Sequence, residues 1–236
     1  MHGGAESGRL RKDNEMIEKQ NADATTLATV AEPARETPLI DTADVVVAGG
    51  GIAGCAAALA AARNGASVLL IEKQTLLGGL ATAGLITYYL PLCDGEGRQM
   101  SYGIAEEFLR LSVRHYPEAD IPEGWKKNGR LDPDYAEARR AVRYETRFSP
   151  GYMALLLEET LREAGVRILY DTRICGVITA KAQVDLPGGI QTAAELEAYT
   201  RKLGAAGTVV RQILIENDSG RGAIEGRAFI DATGSA

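Results

Sequence analysis

The apolar positions of this chain alternate between short unbroken runs and longer stretches with a helical period. An unbroken apolar run at 45–47 and a nearly all-apolar run at 67–71 predict two buried strands, and the alanine-rich stretch between them predicts a helix that ends at Asn64 and Gly65. A strand, a helix and a second strand in this order predict a crossover unit of a parallel sheet.

Two further helices are predicted downstream. The stretch 101–116 is amphipathic, and His115 is interpreted as a helix-end histidine rather than a catalyst. Ser149 and Pro150 form a helix start, because a capping hydroxyl precedes a proline in the first helical position. Gly165 ends that helix.

The remaining apolar segments predict strands. Segments 166–170 and 173–179 are separated by a short turn, and a long polar stretch follows them. Segments 209–216 and 222–230 then predict an antiparallel β-meander across the turn 217–220. The whole pattern predicts an α/β fold.

The chain divides into an extension and one domain. Residues 1–37 lack a sustained apolar face and predict a mobile N-terminal extension. Residues 38–236 predict a single nucleotide-binding domain, with a helical insertion at about 92–148 and a surface insertion at about 181–207.

Composition removes several classes of function. With 26 basic and 32 acidic residues the net charge is −6, and no basic stripe is present, so a nucleic-acid partner is not expected. Cys55, Cys93 and Cys175 are far apart and form no C-x-x-C pair, so neither a structural zinc nor an iron–sulfur cluster is expected. Cys55 and Cys175 are interpreted as small core residues, and Cys93 as a loop thiol with a minor redox alternative.

A membrane location is also disfavoured. The run 45–62 is uncharged and long enough to be considered as a transmembrane helix. Its three consecutive glycines and alanine-rich turns instead favour a strand followed by a crossover helix. The first 40 residues contain no apolar signal-peptide core, so a cytoplasmic location is the expectation.

The glycines between the first strand and helix predict a phosphate-binding turn. Gly49 permits a tight turn, Gly51 lets the backbone approach a diphosphate closely, and Gly54 allows the helix to pack on the strand. The helix N-terminus then presents free N–H groups and the positive end of its dipole to the phosphates. G-x-G-x-x-G alone is a weak signal, but the preceding apolar strand and the acid at Glu72 make the extended motif strong.

Glu72 follows the second strand, 18 residues after Gly54. A carboxylate there can accept hydrogen bonds from both hydroxyls of an adenosine ribose, and it would repel a 2′-phosphate. The alternative is a surface glutamate that ends a strand.

Two further segments complete the pattern. Gly78 and Gly79 provide backbone that can lie against an extended cofactor, although they are equally consistent with a simple turn. The last strand leads into small residues at 232–234, which would let a cofactor approach the carboxyl end of the sheet closely.

In this order the glycine motif with Glu72, the segment GGLATAGLI at 78–86 and the segment FIDATG at 229–234 resemble FAD-dependent oxidoreductases with the glutathione-reductase-like fold. More narrowly, GGLATAGLI and the run SPGYMALLLEE at 149–159 with GVRILYDT at 165–172 are similar to bacterial FAD-dependent oxidoreductases grouped with heterodisulfide reductase A-like proteins. The resemblance implies a Rossmann-like FAD/NAD(P)-binding domain with a parallel sheet, crossover helices and an antiparallel β-meander.

The resemblance also implies where FAD binds. The diphosphate would lie over 49–54, the ribose on Glu72, and 78–79 along the diphosphate and ribitol. Residues 232–234 would flank the adenosine, and the backbone near Ile174 would face the adenine. The implied cofactor-binding residues are Gly49, Gly50, Gly51, Ala53, Gly54, Glu72, Lys73, Gly78, Gly79, Ala81, Thr82, Ile174, Ala232, Thr233 and Gly234.

The expected function is transfer of a hydride or electron pair between a small organic substrate and FAD, with no nucleic-acid or membrane partner. Family members normally continue past the segment corresponding to 232–234, so we expect the chain to be truncated, and no catalytic residue is assigned. Two alternatives stay open: a non-catalytic remnant that binds an adenine nucleotide, and an NAD-binding dehydrogenase.

Overall fold

The computed structural model describes residues 30–94, 98–115, 145–181 and 208–234. The chain forms two compact units, Met1–Glu36 and Thr37–Ala236. Of the first unit, only 30–36 are described, and they contain an ion pair between Arg35 and Glu32. Most of the predicted extension and surface insertion, and much of the helical insertion, lie outside the described residues, so these domain assignments stay predictions.

Three α-helices and eight strands are present in the described part of the second unit. The helices are α1 Ile52–Arg63, α2 Ile104–Ser112 and α3 Pro150–Glu163, and a 3-10 turn spans Gly79–Ala81. The strands are β1 Leu39–Ala48, β2 Val68–Ile71, β3 Tyr88–Tyr89, β4 Thr146–Arg147, β5 Arg167–Leu169, β6 Arg173–Lys181, β7 Thr208–Asn217 and β8 Gly220–Asp231.

Six of these strands form one sheet, in the order β5-β2-β1-β8-β7-β6. Strands β5, β2, β1 and β8 are parallel, whereas β8, β7 and β6 form an antiparallel meander. The predicted α/β, Rossmann-like architecture is therefore confirmed. Strand β1 begins six residues before the predicted run, because its first half, in which polar residues interrupt the apolar ones, also pairs with β8.

The second half of β1 and all of β2 are buried on both faces, which explains their apolar runs. Val47 and Leu70 belong to a core formed with α1 and α3, where Leu59 and Leu157 are fully buried. Val46, its neighbour on β1, belongs to a second core on the other face of the sheet. Successive residues of a strand point to opposite faces, so one apolar run supplies both cores.

Helix α2 and β4 lie in the described part of the predicted helical insertion, and β3 lies just before it. Strands β3 and β4 pair antiparallel. The Tyr89 hydroxyl donates a hydrogen bond to the Ala105 carbonyl at 2.7 Å, and burial raises the pKa of Tyr89 to about 12. Helix α2 is shorter than predicted, and His115 lies beyond its end, exposed and tilted against the ring of Tyr152.

Two local predictions are wrong. Ser149 precedes α3 as expected, but its hydroxyl makes no capping hydrogen bond, so Pro150 is the part of the start signal that holds. Cys175 is exposed rather than buried in the core. It sits at a register shift between Ile174 and Gly176, where the regular alternation of β6 is interrupted.

The uncharged run 45–62 does not form a single helix. Its first residues belong to β1, and α1 contains 12 residues. Among the described residues, no helix has both the length and the apolar character needed to cross a bilayer.

Candidate functional site

The glycine turn between β1 and α1 has the geometry that the sequence predicts. Gly49 has a φ of +95°, and a Cβ there would lie 2.7 Å from the Ala232 carbonyl oxygen. A Cβ on Gly54 would lie 1.8 Å from the Gly49 carbonyl oxygen, so the helix packs directly on the turn. These two glycines shape the turn and bring the start of α1 against 232–233.

The N-terminus of α1 faces open space. Gly51 is its N-cap, and no atom lies within 4 Å of where a Cβ of Gly51 would be. The first helical hydrogen bond runs from the Cys55 N–H to the Gly51 carbonyl, at 2.9 Å. The N–H groups of Ile52, Ala53 and Gly54 precede this bond and have no partner within the helix. With no acidic residue in the first turn, this helix end can accept an anion.

The Glu72 carboxylate is hydrogen-bonded to the glycine turn. Its side chain is buried, with one carboxylate oxygen accepting the Gly50 N–H at 2.5 Å and the other accepting the Gln74 N–H at 2.9 Å. The alternative of a surface glutamate is therefore wrong. A carboxylate offers about four lone-pair sites, so two backbone bonds leave capacity for ribose hydroxyls.

The glycine doublet lies beside this turn. The Gly78 N–H donates to the Gly50 carbonyl at 2.8 Å, and Gly51 and Gly78 form an isolated bridge. The Thr82 side chain is buried against Gly78, and its hydroxyl donates to the Leu77 carbonyl at 2.5 Å. Thr82 therefore has a structural contact that the sequence did not predict, and its backbone N–H also donates to the Gly79 carbonyl at 3.1 Å.

A cleft of about 640 Å³ adjoins the turn at the carboxyl ends of β1, β2 and β8. Five predicted residues line it: Gly49, Glu72, Lys73, Ile174 and Thr233. Its floor is apolar, and the volume falls within the range typical of small-molecule sites. The other ten predicted residues are not among those lining this cleft: Gly50, Gly51, Ala53, Gly54, Gly78, Gly79, Ala81, Thr82, Ala232 and Gly234. Gly51, Ala53 and Gly54 instead lie at the start of α1, Gly50 belongs to the glycine turn, Ala232 lies against that turn, and Gly78 and Gly79 lie beside it.

The cleft exists because the start of β6 returns to the end of β2. The Thr172 N–H donates to the Glu72 carbonyl at 3.0 Å, and the Asp171 N–H donates to the Gln74 carbonyl at 3.1 Å. Asn217 at the end of β7 donates its side-chain amide to the Thr172 hydroxyl at 3.1 Å. These contacts place Ile174 opposite the glycine turn.

Three polar residues that the sequence reasoning missed also line the cleft: Thr172, Arg173 and Asp231. The Asp231 carboxylate accepts hydrogen bonds from the Thr233 N–H at 3.0 Å and the Thr233 hydroxyl at 2.8 Å. These bonds lower the pKa of Asp231. The Asp-x-Thr spacing is typical of an Asx turn and is the signal that could have identified this residue.

The thiol nearest the glycine turn, that of Cys55, is in an unreactive setting. Cys55 is fully buried and donates a weak hydrogen bond to the Gly50 carbonyl at 3.3 Å. Burial, together with a smaller effect of the negative charge of Glu72, raises the pKa of Cys55 to about 12. Cys93 is also buried, so neither thiol has the exposed, electropositive setting of a redox cysteine.

Comparison with known proteins gives matches across the second unit. Residues 44–236 match the family model described as FAD dependent oxidoreductase. The chain is 35% identical over 88 residues to thioredoxin reductase of Ureaplasma parvum serovar 3, covering 36% of this chain and 28% of that protein. It is 31% identical over 132 residues to an uncharacterized protein from the nifH2 5′ region of Methanosarcina barkeri, and the match covers 56% of this chain and 66% of that protein.

Among solved structures, the chain is similar to THI4 of Thermovibrio ammonificans, with a TM-score of 0.47 and 14% identity. That alignment covers 99% of this chain and 67% of the other. The chain thus spans less than two thirds of the length of the two curated relatives.

Proposed function

Because the chain belongs to the FAD-dependent oxidoreductase family, we propose that it binds FAD along the glycine turn and the adjoining cleft. With FAD in place, its role is to transfer a hydride or an electron pair between the flavin and a small organic substrate. The observation that carries this proposal is the juxtaposition of an open helix N-terminus, Gly51 and a cleft of nucleoside size.

The residues present fit the adenosine diphosphate half of FAD. The free N–H groups at 52–54 suit the diphosphate, because they provide hydrogen bonds and the positive end of the helix dipole. The unused lone pairs of Glu72 suit ribose hydroxyls, and the apolar floor beyond suits an adenine ring next to Ile174. Lys73 at the rim is exposed and adds a positive charge near the dinucleotide.

The flavin supplies the redox chemistry when bound, and the chain supplies its position and electrostatic surroundings. Buried Glu72 orients the turn, and the glycines let the backbone approach the phosphates. That the substrate is a small organic molecule and that the location is cytoplasmic stay predictions, which turnover assays with such molecules and cell fractionation would test.

The direct test is to purify the 236-residue chain, incubate it with FAD, remove free ligand and record the visible absorbance. We expect retained flavin in a 1:1 ratio, displaced by ADP because the adenosine half carries the contacts. A folded chain that retains no flavin would refute the proposal. Tight NADH binding without FAD binding would favour the dehydrogenase alternative instead.

A further inference from the structure

Asp231 occupies a defined place on the cleft wall. It is the last residue of β8 and pairs in register with Ala48, the last residue of β1, immediately before the glycine turn. Glu72 follows β2, on the other side of β1, so the backbones that carry the two acids are two strand spacings, about 10 Å, apart. Asp231 shares its strand face with Phe229, which also lines the cleft and packs on the second core.

The two acids differ in what their oxygens already bond. Both oxygens of Glu72 accept backbone N–H groups. In Asp231, Oδ1 accepts both Thr233 donors, whereas Oδ2 has no donor among the described residues. Asp231 is thus an exposed carboxylate with a fixed orientation and one unused oxygen at the mouth of an apolar cleft.

We propose that Asp231 selects adenine over oxopurines, by accepting a hydrogen bond from the exocyclic amino group of the base at Oδ2. The inference rests on the proposed function, since it requires the adenosine half of FAD to lie in this cleft. Adenine presents a donor at its 6-position, whereas hypoxanthine presents a carbonyl oxygen. A carboxylate oxygen facing that carbonyl would be repelled, and both groups would lose their hydrogen bonds to water.

The substitution Asp231→Asn tests the proposal, because it should change the affinities for AMP and IMP in opposite directions. Oδ1 must stay an acceptor to satisfy both Thr233 donors, so the amide nitrogen takes the place of Oδ2. An acceptor toward the ligand therefore becomes a donor. We expect affinity for AMP to fall about tenfold, and affinity for inosine monophosphate (IMP) to rise. A merely structural role for Asp231 would weaken both nucleotides together.

Calorimetric titration of the flavin-free chain with AMP, IMP and 2′-deoxy-AMP measures these affinities. The wild-type chain should bind AMP about tenfold more tightly than IMP. This measurement does not depend on whether a variant folds. Asp218→Asn is the matched control, because it removes the same charge at the β7–β8 turn, at the opposite end of β8. This control should leave the AMP-to-IMP ratio unchanged.

The outcomes separate this inference from the proposed function. Suppose that the wild-type chain binds FAD and AMP, but its AMP-to-IMP affinity ratio is near one or does not change in Asp231→Asn. The adenine assignment is then overturned, while the proposal of FAD binding stands. If Asp231→Asn weakens AMP and IMP equally but leaves 2′-deoxy-AMP unchanged, the carboxylate contacts the ribose instead and the inference is overturned. If the wild-type chain binds neither FAD nor AMP, both proposals fall.

Discussion

Gly51→Ala separates cofactor binding from folding, because the position of its side chain is open in this structure. Gly51 has a φ of −64°, which alanine adopts without strain, and no atom lies within 4 Å of the added Cβ. At an N-cap position alanine is somewhat less favourable than glycine, so we expect the free energy of unfolding to change by about 1 kcal/mol or less.

The same methyl group would fill the space in which we place the FAD diphosphate. It would hold a phosphate away from the N–H groups at the start of α1, costing at least one hydrogen bond to a charged group. Such a bond contributes about 1.5–3 kcal/mol, so FAD affinity should fall roughly 10- to 150-fold. Quenching of flavin fluorescence on titration measures this affinity, and urea denaturation of the flavin-free chain measures the stability.

Two glycine variants serve as references. Gly151→Ala on α3 also adds a methyl group into open space, far along the chain from the turn, and should leave FAD affinity unchanged. Gly54→Ala places a Cβ 1.8 Å from the Gly49 carbonyl oxygen and should destabilise the fold by about 1–3 kcal/mol or more. FAD affinity of Gly51→Ala equal to wild type would refute the placement of the diphosphate against this glycine.

Three further predictions follow from buried or paired groups. Glu72→Gln can satisfy only one of two backbone donors, so we expect a loss of about 1–3 kcal/mol in urea denaturation, and an unchanged midpoint would contradict its clamping role. Thiol labelling of the native chain near pH 8 should modify Cys175 fast and Cys55 only on unfolding, and Cys175→Ser should abolish the fast phase. The Arg63 hydrogen bonds lower the folded pKa of Glu107, so their stabilisation is present above the ordinary carboxyl pKa and is lost as pH falls through the lowered value. A double-mutant cycle on this half-exposed pair should give about 0.2–1 kcal/mol near pH 7 and a smaller value near pH 3.

Part of the candidate site could be predicted because its signals are local. The turn at 49–51, α1 and β2 are contiguous, and Gly49 has a positive φ, which favours glycine whatever its distant neighbours are. Gly54 meets the carbonyl of Gly49, five positions earlier, and the apolar runs on either side specify buried strands. The same locality explains why the meander was predicted within two residues of its observed ends.

Other parts depend on pairs that are distant in sequence. The bond from the Thr172 N–H to the Glu72 carbonyl joins residues 100 positions apart, and it positions one wall of the cleft. The motif predicts a cofactor contact for Thr82, yet its hydroxyl donates a hydrogen bond to the Leu77 carbonyl, next to Gly78 and Gly79. Cys175 was expected in the core, and a register shift in β6 exposes it.

By itself the sequence determined the glycine turn, the parallel and antiparallel parts of the sheet, and the acid that follows β2. These follow from periodicity, glycine stereochemistry and helix-end electrostatics, which act over a few residues. Only the tertiary structure decided how the meander curls back to form a cleft, and which lone pairs of Glu72 and Asp231 are left unused. The hydrogen-bond partner of a buried group is whichever group lies next to it in the folded chain, and a local sequence pattern does not contain that information.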